Sequence, residues 1–280
     1  MGELSSMNEK VLKCKEAASA MRRNIIQLAY NGGNNGAHIA PGLSIVEILA
    51  VLYLMVMNID NKNMLDDQRD RFILSKGHGA LGYYTALYEA GIISKESLYT
   101  FENNGGEFPG QPSKNFIRGI DYSGGSLGMG LSYGIGLALS AFKKNLKYQV
   151  YVLMGDGELN EGIVWEGAML AAHLHLSNIT AIIDRNGMQS DGSSSEILSI
   201  DVNKLWEAHG WEVVICDGHD VCSLYDAFSL KRDNRPRVIV ANTVKGKGVS
   251  FMQHNKDWHH NKLTKEQFEM AINELGGPKN

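Results

Sequence analysis

In the first part of the chain, apolar residues recur at helical spacing. Ala17, Ala18, Met21, Ile25, Leu28 and Ala29 share one face of a helix predicted over 7–31. The Gly/Asn cluster at 31–36 should end it. A second helix is expected to run from Ser44, a good N-cap, to Met57, and a third, rich in small residues, over 124–142. From Tyr148 the rhythm changes. Residues 150–154 form a continuous apolar run with β-branched members, bounded by Gly155-Asp156-Gly157. That is the pattern of a strand buried on both faces. A helix is expected over 162–175, a second buried strand over 179–183, and two more over 212–216 and 238–241. Strands alternating with helices predict an α/β fold, a mainly parallel sheet with helices on both faces. No internal repeat or long linker interrupts the pattern. Residues 1–280 are therefore read as a single domain, its N-terminal helical region packed onto the α/β core, with a short amphipathic segment at 264–275.

Composition narrows the function classes. A hydrophobic content of 44% and a charged content of 21% are those of an ordinary soluble globular chain. The formal net charge of −4 lacks the basic excess that nucleic-acid binding requires. Thirty-one glycines against five prolines point to tight turns and close backbone approaches, because the apolar segments between them are strong. Cys14, Cys216 and Cys222 form no CxxC pair, which suits a reducing compartment. The longest strongly apolar run, 48–57, falls well short of the roughly 20 residues a membrane helix needs. No secretory signal is visible at the start. A cytoplasmic protein that binds neither nucleic acid nor membrane is expected.

Candidate chemistry centres on residues 150–188. Asp156 lies just beyond the carboxyl end of one predicted strand and Asn186 just beyond the next. If the strands are neighbours, both side chains reach the sheet edge where open α/β folds bind ligands. Mg²⁺ prefers hard oxygen ligands and few protein groups, leaving positions for phosphate and water. One carboxylate, one amide oxygen and a carbonyl from the turn after Asn186 would suit it. Gly155 and Gly157 would let backbone approach a diphosphate. The helix beginning near Gly162 could offer it free N–H groups. Taken alone, Asp-Gly after a strand is only a turn; the second polar residue shifts the odds toward a Mg-phosphate site, and spacing by itself carries the reading no further. No Walker-type GxxxxGK[ST] is present, which disfavours a generic nucleotide protein.

The same residues resemble a known family. Gly155-Asp156-Gly157 with Asn186 about thirty residues on is similar to the thiamine-diphosphate motif, and GDGELNEGIVWEGA (155–168) looks specifically like the transketolase family. NGAHIAPGLS (35–44), SKGHG (75–79), GGSLGMGL (124–131), DGHD (217–220) and KGKGVS (245–250) fit in order, so the resemblance covers about residues 10 to 265. Several motifs in order are far more specific than any one.

The resemblance implies a thiamine-diphosphate-binding fold with Mg²⁺ held by Asp156, Asn186 and the carbonyl of Met188. It implies diphosphate contacts from Gly155, Gly157 and His78, and contacts to the cofactor's rings from Gly125, Ser126 and Leu127. Glu161 and Glu166 match acidic residues near a subunit interface that links paired cofactor sites. His38 and His78 match catalytic residues around the carbon being transferred, and His259 or His260 matches a further substrate-site histidine whose register WHHNKL leaves open. In the segment FPGQPS (108–113), Gln111 stands where many transketolases have a histidine that contacts the sugar; glutamine hydrogen-bonds but carries no proton at neutral pH. His173, His175 and His209 are read as packing or surface residues, His219 as a turn residue, and Glu158 and Glu207 as solvated charges. Lys245 and Lys247 could approach an anion or lie on an exposed loop. Gly128–Gly136 suggests close helix packing rather than a dinucleotide fingerprint, since no clear strand precedes it.

The family's pyrimidine-binding domain has no counterpart before Asn280. The expectation is therefore the diphosphate-binding subunit of a split transketolase, active only with a C-terminal partner chain in an α₂β₂ heterotetramer. It would transfer a two-carbon ketol unit from a ketose, expected to be a sugar phosphate, to an aldose. Alternatives are another thiamine-diphosphate subunit, resembling deoxyxylulose-phosphate synthase or a 2-oxoacid dehydrogenase α chain, or a non-catalytic regulatory homologue.

Overall fold

The structure, a computed structural model, describes residues 2–32 and 35–277. In chain order the α-helices are α1 (Gly2–Asn31), α2 (Ile39–Leu43), α3 (Val46–Val51), α4 (Ala80–Glu89), α5 (Lys95–Leu98), α6 (Met129–Lys144), α7 (Gly162–His173), α8 (Ser194–Ile197), α9 (Val202–Ala208), α10 (Val221–Ser229) and α11 (Lys265–Glu274). Five strands, β1 (Arg71–Leu74), β2 (Val150–Gly155), β3 (Ile179–Arg185), β4 (Glu212–Asp217) and β5 (Arg237–Asn242), form one parallel sheet in the order β1-β2-β3-β5-β4. All the carboxyl ends therefore lie along one edge.

The alternation of side chains along each strand splits the core in two. Tyr151 and Leu153 face one side with α1 to α4, while Val150, Val152 and Met154 face the other with α6, α7 and α9. Because both faces are covered, the central strands read as unbroken apolar runs. The stripe Ala17, Ala18, Met21, Ile25, Leu28 and Ala29 on α1 is buried as its spacing predicts. Thr264 and Gln267 cap α11 reciprocally.

Three expectations need correction. The helix expected over 44–57 is α3 followed by a wide π-type turn at Leu52–Val56; Ser44, the expected N-cap, instead closes the separate short α2, which contains Pro41. The helix expected over 124–142 begins only at Met129, because Gly128 is left-handed (φ 83°) and 124–128 is loop. Strand β1 has no counterpart among the expected strands. Of the turn expected at 31–36, Gly33 and Asn34 lie outside the described residues.

Candidate functional site

Strands β2 and β3 are direct neighbours, with Gly155 opposite Asp184. Asp156 and Asn186 therefore meet at the sheet edge. The Gly187 N–H donates to Asp156 Oδ2 at 2.5 Å, closing the gap between the two turns. The Met188 N–H donates to Asn186 Oδ1 at 3.0 Å, and Asn186 Nδ2 donates to Asp184 Oδ2 at 2.9 Å.

Asp184 is fully buried and organises this edge. It accepts from Lys76 Nζ (2.5 Å), Ser44 Oγ (2.7 Å) and Thr243 Oγ1 (2.5 Å) as well as from Asn186. Burial alone would raise its pKa, but the Lys76 ammonium and these donors outweigh that and hold it below the usual value. One carboxylate thus ties the junction between α2 and α3 at Ser44, the turn after β1, β3 and the segment after β5.

A cavity of ≈ 300 Å³ opens above this network, lined among others by Lys76, His78, Leu127, Gly157, Lys245 and His259. Its remaining walls include Gly155, Asp156, Asn186, Met188 and Glu161. Lys245 is buried rather than on an exposed loop; its Nζ donates to the Gln189 carbonyl at 2.7 Å and lies 3.0 Å from His259 Nδ1. Burial and the nearby Lys76 lower its pKa to about 8. An ammonium can only donate, so Nδ1 of His259 accepts and its proton sits on Nε2.

Glu158, expected to be a solvated charge, is buried. It accepts from Ser75 Oγ, from the Gly128 N–H at 2.7 Å and from the Gly155 N–H at 3.2 Å. Burial raises its pKa against those three bonds. It thereby fixes the loop 124–128 to the end of β2. Leu127 of that loop faces the cavity, whereas Gly125 and Ser126 are exposed beside it. The turn next to Asp156 is the 3₁₀ segment Gly157–Asn160, not the start of α7, and Gly162 does not line the cavity. Glu161 is at the cavity, while Glu166 lies further along α7, exposed and outside it.

The histidines converge from three segments. Ala37 and Asn261 pair in an antiparallel bridge, which brings 259–260 against His38; a Cβ on Gly36 (φ 77°) would lie 3.0 Å from the His260 ring. His78 follows β1 in the turn Gly77–Gly79. Ring centroids are 5.8 Å apart for His38–His78, 5.3 Å for His38–His259, 4.6 Å for His38–His260 and 5.2 Å for His78–His259. Burial, reinforced by the neighbouring rings and lysines, lowers His38 to about 4 and His259 to about 3, and pushes His78 well below the ordinary value. All three are neutral at pH 7. His259 faces the first cavity, His260 a second one of ≈ 250 Å³, and His78 both. Gln111 is exposed on the second cavity, its Oε1 2.9 Å from where a Cβ on Gly125 would lie.

The other histidines have structural tasks. His219 Nδ1 lies 2.9 Å from Glu47, and its Nε2 accepts from the Val244 N–H, so it clamps the turn after β4. His209 bonds the Leu205 carbonyl, and His173 and His175 are exposed. A Cβ on Gly130 would clash with Ser75 and one on Gly134 with Val152, in line with close helix packing.

The chain matches the family model of the transketolase thiamine-diphosphate-binding domain over residues 15–279. It belongs to the transketolase family. It is 42% identical over 263 residues to an apulose-4-phosphate transketolase subunit of Actinobacillus succinogenes, covering 93% of this chain and 95% of that one. It is 36% identical to a 6-deoxy-6-sulfo-D-fructose transketolase subunit of a Clostridium species, covering 96% and 98%. Like these relatives, it is a transketolase subunit. The crystal structure of transketolase from Campylobacter jejuni superposes with a TM-score of 0.85 at 27% identity, covering 96% of this chain but only 43% of that one. The chain thus spans about two fifths of the solved transketolase chains it matches.

The residues present fit the cofactor of that domain. Gln189 Nε2 is a buried donor at the cavity wall with no partner among the described residues, and Lys245 puts positive charge beside it, as a diphosphate requires, while the Lys76 ammonium on the same wall is paired with Asp184. Asp156, by contrast, is raised to about 6, chiefly by burial and further by Asp184, against the Gly187 N–H. A cation beside it would relieve that penalty. Asp156 Oδ, Asn186 Oδ1 and a main-chain carbonyl are hard oxygen donors suited to Mg²⁺. No helix of the described residues is long and apolar enough to cross a membrane.

Proposed function

We propose that this chain is the Mg²⁺- and diphosphate-binding subunit of a two-chain transketolase, moving a two-carbon ketol unit from a ketose to an aldose. The observation that carries the reading is the wall of neutral histidines between an anion-binding cavity and a second, polar cavity. Thiamine diphosphate, when bound, supplies the nucleophilic carbon. The chain's own groups do the rest. Lys76, Lys245, Gln189 and the glycine-lined turn would hold the diphosphate, Asp156, Asn186 and the Met188 carbonyl would hold Mg²⁺, and Leu127 would meet the cofactor's rings.

Neutral His38 and His78 can accept or donate a proton at the sugar's oxygens. His259, with its proton fixed on Nε2 by Lys245, serves as a donor. Of the two candidates in WHHNKL, we read His259 as the site histidine, while His260 faces the second cavity. The whole chain acts as one diphosphate-binding domain. Gly125 and Ser126, exposed beside the cavity, await a second polypeptide carrying the pyrimidine-binding domain. Exposed Met129, Met169 and Leu170, close to Glu161 and Glu166, suit self-association into an α₂β₂ heterotetramer. The unpaired thiols Cys14, Cys216 and Cys222 suit the cytoplasm.

The test is to purify the chain from its own host in Mg²⁺ and thiamine diphosphate, identify what accompanies it, and assay the complex. A stoichiometric second chain and cofactor-dependent transfer from D-xylulose 5-phosphate or D-fructose to an aldose are expected. A chain that purifies alone, or a complex that releases two carbons from pyruvate instead, would overturn the reading.

A further inference from the structure

The second cavity contains a carboxylate, Glu102, facing the same space as His38, His260 and Gln111. Its position is costly to build. The Glu102 backbone is left-handed (φ 54°), a conformation that glycine or asparagine adopts more cheaply. It is held by the Glu102 N–H donating to the Phe108 carbonyl at 3.0 Å. Two glycines make room for the side chain. A Cβ on Gly110 would lie 2.2 Å from Glu102 Oε1, and one on Gly32 would lie 3.3 Å from Glu102 Cβ. Backbone strain kept at a residue whose side chain makes no structural bond points to a functional task.

The carboxylate makes no hydrogen bond and no ion pair among the described residues, although it is half-buried. No lysine or arginine among the described residues lines this cavity; both cavity-facing lysines are on the other side of the histidines. A carboxylate placed this way accepts from hydroxyl or amine donors and repels anions. Gln111 and His260 add neutral hydrogen-bonding groups around it. The cavity therefore differs from its neighbour, whose lining includes the lysines Lys76 and Lys245 along with its carboxylates.

We propose that Glu102 is a specificity residue: it accepts hydrogen bonds from the uncharged, hydroxyl-bearing part of the sugar and excludes a phosphate or sulfonate from this cavity. The inference rests on the ketol-transfer reading. It places any anionic end of the substrate away from this wall.

The test uses the two-chain complex with D-fructose and D-fructose 6-phosphate as donors, in wild type and Glu102→Gln. The amide keeps the shape and removes the charge. The ratio of kcat/KM for the phosphorylated over the plain ketose should rise about tenfold in the variant. Saturation-transfer NMR on the complex without thiamine diphosphate should show the same shift in relative binding. Ratios unchanged within about twofold, with the wild type active, would overturn the inference alone. A wild-type complex that neither binds nor turns over either sugar would overturn the ketol-transfer reading and this inference with it.

Discussion

On the sheet side of the histidines, Asp184 is bonded by Lys76, Ser44, Thr243 and Asn186, and Glu158 by Ser75, Gly128 and Gly155. On the far side, the Glu102 and Gln111 side chains have no hydrogen-bond partner among the described residues, and Gln111 and His260 are exposed. The difference follows from what each side has to meet. On the proposed function, the near side would meet a metal-diphosphate that is the same in every turnover, so its groups could be fixed in advance by buried bonds that also hold the fold together. A sugar chain comes and goes, so the groups that read it keep their hydrogen-bonding capacity free. Relatives of this chain are named for different sugars, apulose 4-phosphate and 6-deoxy-6-sulfo-D-fructose.

Asp184→Ala probes that contrast most severely. It leaves the Lys76 ammonium buried and unpaired, and breaking such a pair costs about 3–5 kcal/mol. Denaturant unfolding of the purified chain should register that loss, while Glu102→Ala should change stability by about 0.5 kcal/mol or less. Equal losses would mean that the far wall is as structural as the near one.

Asp156→Ala separates binding from folding within the near side itself. Mg²⁺-dependent binding of thiamine diphosphate to the two-chain complex, followed by calorimetry, should weaken by about a hundredfold or more, or roughly 2.7 kcal/mol. Folding should suffer less than in Asp184→Ala: the variant gives up the Gly187 N–H bond, but burial already disfavours the charged carboxylate in the folded chain. Unimpaired Mg²⁺-dependent binding would remove Asp156 from the metal.

How much of this is legible in the sequence depends on how local the signal is. β2, β3 and β5 announce themselves, because a parallel strand covered on both faces must be apolar throughout. Asp156 and Asn186 can be brought together on paper, since they end neighbouring strands. β1 escapes the pattern because it has four residues, opens with Arg71, whose guanidinium lies over the Tyr148 ring, and runs straight into the glycine-punctuated stretch. Glu158 misleads for a different reason. A glutamate beside Gly157 looks solvated until Ser75 and Gly128 are seen to converge on it from distant positions. Lys76, Asp184, Gln189 and Glu102 are hidden likewise, although the position of Asp184 two residues before Asn186 on an apolar strand is a usable hint. A carboxylate among strand residues buried on both faces needs a cationic partner.

Acid titration gives a smaller effect that spans both sides. His38 and His259 have folded pKa values below the unfolded one, so the unfolded chain binds more protons as the pH falls from about 6.5. Stability contributed by the neutral cluster is therefore full near pH 7 and is lost on acidification down to about 4 for His38 and about 3 for His259, by at most about 1.4 kcal/mol per pH unit for each ring. Asp156 works in the opposite sense between about 6 and its ordinary value, since its folded pKa is raised. Unfolding curves of the His38→Asn, His259→Asn double variant should be flatter over pH 6.5–4 than those of the wild type. A parallel decline would show that the histidines do not set the acid limb.

The mildest test concerns Gln111. Its carboxamide packs over two glycines: a Cβ on Gly77 would lie 3.0 Å from Oε1 and one on Gly125 at 2.9 Å. A flat imidazole can occupy the same exposed space, so Gln111→His should leave folding unchanged. What alters is the hydrogen-bonding repertoire. Glutamine offers a fixed donor and acceptor, whereas histidine exchanges them and can take up a proton. One exposed hydrogen bond is worth about 1 kcal/mol, or roughly fivefold in a rate ratio. The ratio of kcat/KM between two ketoses that differ at a hydroxyl near this wall should shift by that order, while their cofactor affinity stays constant. Should the ratio hold across a panel of plain, phosphorylated and modified ketoses, Gln111 would be a spectator at the rim. Selectivity on the far side would then fall to Glu102, the one carboxylate among the described residues that line that cavity.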